Sequence, residues 1–389
     1  MLAPGSQASL RESNSKRIVE AVKTYGGLTQ VELASTTGLS AATVSNIVKQ
    51  LEREGVVETR ATTRSGRRAQ QVTLARSSAL AFGVHLTRRG LQVHLSDFSQ
   101  GVRHSHHLPL PADHRHDTTL DRVALLVGEV ADEAGATIDD VVAVGVAVPA
   151  SITVRVSGRA LSGWEDVDIA DTLSKRLGRP VVMHRQADAA AVAEYRFGAL
   201  RGVSSALYVR VGDTTEASLL FDGVARSGAS SPAGAIGHVQ VDSGGPICRC
   251  GARGCLDTRV SAEALADLLR VSHGPLSLRQ IVASANRGDP GCRNVIADTG
   301  SLIGPVVANA ATLLGVDRIV IGGELAASGD VLLSPIRDAL RARPLLGNVD
   351  DLLVESELGQ DAEAMGAAAL AHDTVAHPYS VEDTSEGSL

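Results

Sequence analysis

The run Gly234-Ala-Ile-Gly-His-Val-Gln-Val, followed by Cys248-Arg-Cys-Gly-Ala-Arg-Gly-Cys-Leu-Asp257, constrains this chain more than any other. Three of the four cysteines fall within eight positions, and His238 stands a short loop upstream. Three soft thiolates and one imidazole form the donor set of a closed tetrahedral zinc site, in which the metal cross-links two loops. Gly251 and Gly254 let the chain turn tightly enough for Cys250 and Cys255 to face one ion. A disulfide or unpaired buried thiols are the alternatives. Cys-x-Cys strains a disulfide, and the opening Met1-Leu-Ala-Pro-Gly-Ser has neither the basic start nor the apolar stretch of a secretory signal. The spacing therefore predicts structural zinc on His238, Cys248, Cys250 and Cys255, with no position left for water or substrate.

The length, 389 residues with 44% hydrophobic content, suffices for two or three globular units. No apolar run is long enough to span a membrane, which predicts a cytoplasmic protein with reduced thiols. The net charge of −7 is unevenly placed. Residues 1–75 hold ten Lys/Arg against six Glu, a net +4, which leaves −11 on the rest. A basic N-terminal module on an acidic body predicts that a polyanion meets only one end.

Within that basic end, residues 1–13 read as a disordered leader and 14–75 as one module. Ile18, Val19, Val22 and Tyr25 share a helical face, and Gly26-Gly27 stops the helix. Thr29 caps a second helix that ends at Gly38, and Ser40 caps a third running from Ala41 to about Glu54. Val44, Ile47, Val48 and Leu51 form its buried stripe. On the opposite face stand Thr43, Ser45, Asn46, Lys49, Gln50 and Arg53. Small polar and amide side chains near a helix start suit entry into a DNA major groove, where Asn46 can read adenine edges. Two strands around Thr63-Arg-Ser-Gly-Arg-Arg68 then read as a hairpin wing, with Arg64, Arg67 and Arg68 available to phosphates or a minor groove. Helix, turn, helix and basic hairpin in this order predict a winged helix-turn-helix bound to duplex DNA. Arg76–Ser78 reads as a short polar hinge.

Residues 79–372 contain two similar strand-turn-strand stretches, Ala81–Asp97 and Ala206–Gly223. Further strands are expected near Val142–Val148, Val181–His184 and Arg318–Ile321. A duplicated α/β unit predicts two lobes with a cleft between them. Five histidines, His104, His106, His107, His114 and His116, fall in what reads as a polar, solvated loop. Cys292 reads as a buried, inert thiol, and the acidic, Ser/Thr-rich residues 373–389 as a disordered tail.

Gly-His followed by Cys-x-Cys-Gly-x-x-Gly-Cys resembles the signature of the ROK family, which unites sugar kinases with sugar-responsive repressors. The N-terminal module is similar to the winged helix of its repressors. The resemblance covers nearly all of 79–372, with the zinc loop at 238–255. It implies an α/β fold: a winged helix-turn-helix followed by a two-lobed actin-like (ribonuclease-H-like) sugar-kinase-type domain. The kinase features have drifted. Asp213 and Glu216 stand where a glycine-rich turn would approach phosphates. The position of the family's general base is Gln186, which cannot usefully take a proton. The sugar-contacting positions read Ala160 and Ala235, and the Glu after the third cysteine is Asp257. Asp188 is too far along the helix to serve as the base, and Arg185 would favour an anionic ligand. Arg185, Asp188 and Asp257 are thus the candidate ligand contacts.

The expected function is a sequence-specific transcriptional regulator, a repressor, with a catalytically inactive body. That body would sense a sugar or sugar derivative and assemble the chain as a homodimer or tetramer on an operator. The rival is an ATP-dependent sugar kinase bearing an added DNA-binding head.

Overall fold

A computed structural model of the chain describes residues 7–25, 27–53, 55–64, 67–74, 80–97, 102–111, 114–150, 164, 167–226 and 234–374. The expected hinge at Arg76–Ser78, the position Ala160 and all of the expected tail beyond Thr374 lie outside the described residues.

Helix α1 (Gln7–Tyr25) begins inside the expected leader, because polar residues with adequate helix propensity extend the helix by about two turns. Strand β1 (Leu28–Thr29) leads into α2 (Gln30–Thr37) and α3 (Ala41–Arg53). Thr29 and Glu32 cap α2 reciprocally, and Gly38 closes it at φ 67°. The Ser40 hydroxyl accepts from the Thr43 amide at 3.2 Å and starts α3. Val44, Ile47, Val48 and Leu51 are buried as the periodicity predicts, against Ile18, Val19, Val22 and Leu33. Strands β2 (Val57–Arg64) and β3 (Arg67–Leu74) pair antiparallel from Val57–Leu74 to Arg64–Arg67, and β1 joins the other edge of β3.

The first lobe is a five-stranded sheet of β4 (Leu80–Leu86), β5 (Gly90–Asp97), β6 (Val102–Pro109), β7 (Val141–Val148) and β8 (Val181–Arg185), in the order β6-β5-β4-β7-β8. The second lobe uses β9 (Ser205–Val211), β10 (Thr215–Phe221), β11 (Val224–Ala225), β12 (Arg318–Gly322) and β13 (Leu353–Glu355), in the order β11-β10-β9-β12-β13. In both, three strands meander antiparallel and two more join parallel to the first, so the duplication read from the sequence is a duplication of topology.

Two helices follow this pattern in the first lobe, α4 (His116–Glu133) and α5 (Ile169–Leu177), and α6 (Gln186–Phe197) leads out of it. The second lobe is covered by α7 (Ala262–His273), α8 (Leu278–Asn286), α9 (Pro290–Leu314) and α10 (Asp330–Arg341). The last helix, α11 (Ala362–Asp373), packs back on β4, β7 and α6. This approach is a backbone contact. A Cβ on Gly83 would lie 1.8 Å from the Ala364 carbonyl oxygen, and one on Gly145 would lie 2.0 Å from that of Ala367.

The histidine group differs from expectation. His104, His106 and His107 lie on β6, because the strand is an edge whose side chains alternate in exposure. His106 meets Glu133 of α4 at 2.8 Å. His114 is buried edge-on to Trp164, its ring bonded to the Thr119 hydroxyl at 2.8 Å. Cys292 is fully buried, as expected.

The closeness of α11 gives a direct test. Gly145→Ala forces the helix off the sheet and should cost on the order of 3 kcal/mol. Urea denaturation of the full chain reads this as a lowered midpoint, and an unchanged midpoint would contradict the packing described.

Candidate DNA interface, metal cluster and interlobe site

The head presents the outer face of α3. Asn46 and Lys49 are exposed; Thr43 and Ser45 are half-buried beside them. Thr43 also shares its hydroxyl with Ser40 at 2.8 Å, which holds the helix start rigid. Arg64 closes β2 and Arg67 and Arg68 open β3, so their backbones form the tip of the hairpin; their side chains lie outside the described residues.

The cysteine loop brings all four expected donors together. His238, Cys248, Cys250 and Cys255 offer ligand atoms that all lie within 4.8 Å of one another. Cys248 Sγ is 3.5 Å from His238 Nδ1, and Cys250 Sγ is 3.6 Å from Cys255 Sγ. With Zn–S near 2.3 Å and Zn–N near 2.0–2.1 Å, tetrahedral edges come to about 3.5–3.8 Å. The cluster therefore fits a tetrahedral zinc, and the thiols are free rather than paired in a disulfide. The loop is a tight hairpin in which Cys248 donates to Ala252 O at 2.7 Å and Gly254 donates to Pro246 O at 2.8 Å. Gly254 has φ 68° with its α-carbon against the Asp242 carbonyl, so only glycine fits there. Burial and the neighbouring thiols push Cys255 up to about 12, a cost that a divalent cation removes by taking the thiolates as ligands. His273, Asp289 and Cys292 also cluster, but Asp289 caps α9 and pairs with His273 at 3.1 Å, which accounts for the group without an ion.

Asp257 stands two residues after the last cysteine. Its buried carboxylate accepts from the Thr215 amide at 2.9 Å and lies 3.7 Å from Arg249. The cysteine loop thereby fixes the start of β10. Burial pushes the Asp257 carboxyl above its usual range, against the pull of that amide and of Arg249.

The other interlobe residues converge on the N-terminus of α6. Arg185, expected to face an anionic ligand, is instead buried and grips Asp188 with two bonds of 2.8 and 2.6 Å. It turns inward because Asp188 lies one helical turn on. The same Asp188 oxygen accepts from the Ser218 hydroxyl of β10 at 2.6 Å. Gln186 donates to Glu216 Oε1 at 2.8 Å, and its own oxygen lies 3.0 Å from His85 Nε2. Glu216 Oε1 also accepts from the Ala150 amide at 3.1 Å and the Thr214 hydroxyl at 3.0 Å. Glu216 thus belongs to β10 and is buried between the lobes rather than exposed in a turn. Burial pushes its carboxyl above the ordinary glutamate range, opposed by Arg210 and these hydrogen bonds. Burial also pushes His85 down, so its imidazole is neutral and its Nε2–H donates to Gln186.

Sequence reasoning missed two further elements. Arg210 and Glu363 form a buried pair at 2.6 Å between β9 and α11. The signal was a charged residue inside the apolar strand Ser205–Val211, which requires a partner. Glu194 is fully buried and accepts from the amides of Ala199 at 2.8 Å and Leu358 at 3.0 Å.

Comparison with known proteins gives a consistent result. Residues 81–374 match the family model described as ROK family, and residues 11–58 match one described as winged helix-turn-helix DNA-binding. The chain is 28% identical to an N-acetylglucosamine repressor of Shigella flexneri, over 95% of this chain and 96% of that protein. It is 23% identical to a xylose repressor of Bacillus subtilis, over 94% and 97%. Among solved structures, a ROK family transcriptional regulator described as a homolog of the E. coli MLC protein superposes with a TM-score of 0.69 at 22% identity, covering 93% of this chain and 96% of that one. A ROK family glucokinase from Streptomyces griseus, solved with glucose and AMPPNP, superposes with a TM-score of 0.64 at 24% identity, covering 76% and 100%. The uncovered quarter leaves room for the DNA-binding head. Among the described residues no helix is long and apolar enough to cross a membrane.

The buried glutamate has a pH signature. Its raised folded value means that, above the ordinary glutamate range, the native state holds more proton than the unfolded state. Stability then falls with rising pH, by at most about 1.4 kcal/mol per pH unit. Glu216→Gln keeps the acceptor oxygen and removes the titration. Denaturation measured from about pH 5 to about pH 8 should show a shallower decline in this variant than in the wild type. Parallel profiles would place the Glu216 carboxylate in water instead.

Proposed function

The chain belongs to the ROK family, and from that premise we propose that it is a transcriptional repressor whose winged helix reads an operator and whose body serves as a sensor rather than a kinase. The observation that carries this is the head. It has a capped, rigid α3 with Asn46 and Lys49 exposed on one face and four apolar residues locked beneath. Asn46 suits bidentate recognition of adenine, while Lys49 and the arginines Arg64, Arg67 and Arg68 of the hairpin suit phosphates. Thr43 and Ser45 flank the reading position. The likeness to two sugar-named repressors along nearly the whole chain supports the same assignment.

Among the described residues, the side chains at the expected catalytic positions are held by internal bonds. Gln186 at the expected base position is engaged by His85 and Glu216, and Asp188 by Arg185 and Ser218. The Glu216 side chain, at the start of β10, adds an acidic group between the lobes, which disfavours a phosphate there. Arg185, Asp188 and Asp257 remain the candidate contacts of a sugar-like effector, acting as hydrogen-bond partners in a crevice now closed by internal bonds. We assign zinc to His238, Cys248, Cys250 and Cys255 as a structural ion. A homodimer or tetramer, working in the cytoplasm, would present two heads to a pseudo-palindromic site. The domain division that goes with this reading is 14–75 for the head and 79–372 for the body.

Selection of duplexes from random-sequence DNA by the full-length protein tests the assignment, with a symmetric enriched motif as the expected result. On the enriched duplex, Asn46→Ala should cost about 1–3 kcal/mol and relax preference at one base pair. Lys49→Ala should weaken all sequences alike and lower the salt slope by about 1. No enrichment, together with sugar-dependent ATP consumption, would instead establish the kinase reading. For the metal, elemental analysis should find one zinc per chain, lost in Cys250→Ser with a fall in melting temperature. Metal-free protein of unchanged stability would remove zinc from the account.

A further inference from the structure

Helix α6 touches three parts of the molecule. Its N-terminus carries the interlobe cluster, where Arg185, Asp188 and Ser218 form one set of bonds and Gln186 with Glu216 another. Its flank lies against α11, with Arg196 donating to the Ala369 carbonyl at 3.2 Å. Its C-terminal turn meets the DNA-binding head, because α1 packs against it.

The contact with the head joins two hydrophobic cores. Tyr25, the last residue of α1, packs on the core of the winged helix. Tyr195 packs on the core built around α6, Tyr208 and Leu220. Tyr25 lies against Tyr195 in this contact, and burial, followed by the Tyr25 hydroxyl, raises the Tyr195 phenol above its ordinary value. Tyr195 has no freedom to follow the head alone. Its ring lies on the turn between β10 and β11, where a Cβ on Gly223 would come within 2.2 Å of Tyr195 Cε1. Strand β10 is the strand that holds Glu216 and Ser218. Ring, strand and helix therefore form one unit, about 14 Å long between Gln186 and Tyr195 at the α-helical rise.

We propose that α6 is a lever that couples the interlobe cluster at its N-terminus to the winged helix through the Tyr25–Tyr195 contact. This rests on the repressor reading above and deepens it by naming the route of regulation. A displacement of Arg185–Asp188 or Gln186–Glu216 moves α6 and β10 together, because both are bonded to those groups. Tyr195 moves with them, and Tyr25 carries the displacement into α1, which packs directly on α2 and α3. Coupling is reciprocal, so DNA on α3 must alter α6 as an effector at α6 alters α3. No effector is needed to observe it.

Hydrogen exchange on the full-length protein, alone and with the duplex it enriches from random-sequence DNA, tests the lever. In the wild type the duplex should slow exchange over residues 41–53, and should change exchange over 186–197 by about fivefold or more. In Tyr195→Phe and in Tyr25→Phe, residues 41–53 should still be protected while 186–197 no longer responds. The double variant should behave as either single one. A wild-type 186–197 that ignores the duplex while 41–53 is protected overturns the lever and leaves DNA binding standing. A response that survives both Tyr→Phe changes also overturns it. Failure of any duplex to protect 41–53 overturns the repressor reading itself, and the lever with it.

Discussion

A helix made largely of alanine sits where the two lobes meet, and the closeness with which it can be approached determines the rest of the body. Every residue from Gln186 to Glu194 is buried, although three of them are polar or acidic. Alanine loses no side-chain entropy on burial and keeps helix propensity high, so two backbones can come within touching distance. On the other side α11 lies against α6 and the first sheet in the same manner. Packing of this kind offers few large side chains to set a register. The register is instead set by directional bonds: Asp188 to Arg185 and Ser218, Gln186 to Glu216, and Glu194 to the amides of Ala199 and Leu358. Buried polar groups satisfied in this manner fix one arrangement, because any shift leaves several of them unpaired at once.

The cysteine loop belongs to the same design. A cation held by His238, Cys248, Cys250 and Cys255, as proposed, would fix a hairpin with little apolar content of its own. Two residues after the last thiolate, Asp257 reaches the amide of Thr215 at the head of β10. The proposed ion would thus act at one remove on the strand that carries Glu216 and Ser218. None of the four donors lies on that strand, so such an ion would influence the interlobe cluster without touching it.

Much of this was legible from residues alone. Caps such as Thr29 and Ser40, the stripe Val44-Ile47-Val48-Leu51 and the paired strand-turn-strand stretches are local patterns, and local patterns survive in one dimension. The four metal donors were legible because their chemistry is rare and their spacing short. What was not legible is pairing across distance. Arg185 reads as a ligand contact until its neighbour Asp188 is seen to turn inward with it. Arg210 plainly needed a partner, but nothing in the sequence points to Glu363, 153 residues away. The histidines of β6 read as a loop because an exposed edge strand has no apolar alternation on its outer face to announce it.

The bonds that close the interlobe crevice also explain how a kinase-shaped body can serve a DNA-binding head. An enzyme of this shape must keep its base and phosphate cradle free for substrate. Here His85 and Glu216 engage Gln186, and Arg185 and Ser218 engage Asp188. Any molecule that enters must exchange its own hydrogen bonds for these, and it can do so only by displacing the groups that position α6 and β10. Binding and conformational change are then one event, and the ligand's differential affinity for the two arrangements is the free energy available to move the head. On the proposed reading, loss of free catalytic groups and gain of a sensor would be one substitution pattern viewed from two sides, since a cleft that need not turn over can be filled with bonds whose rupture reports occupancy.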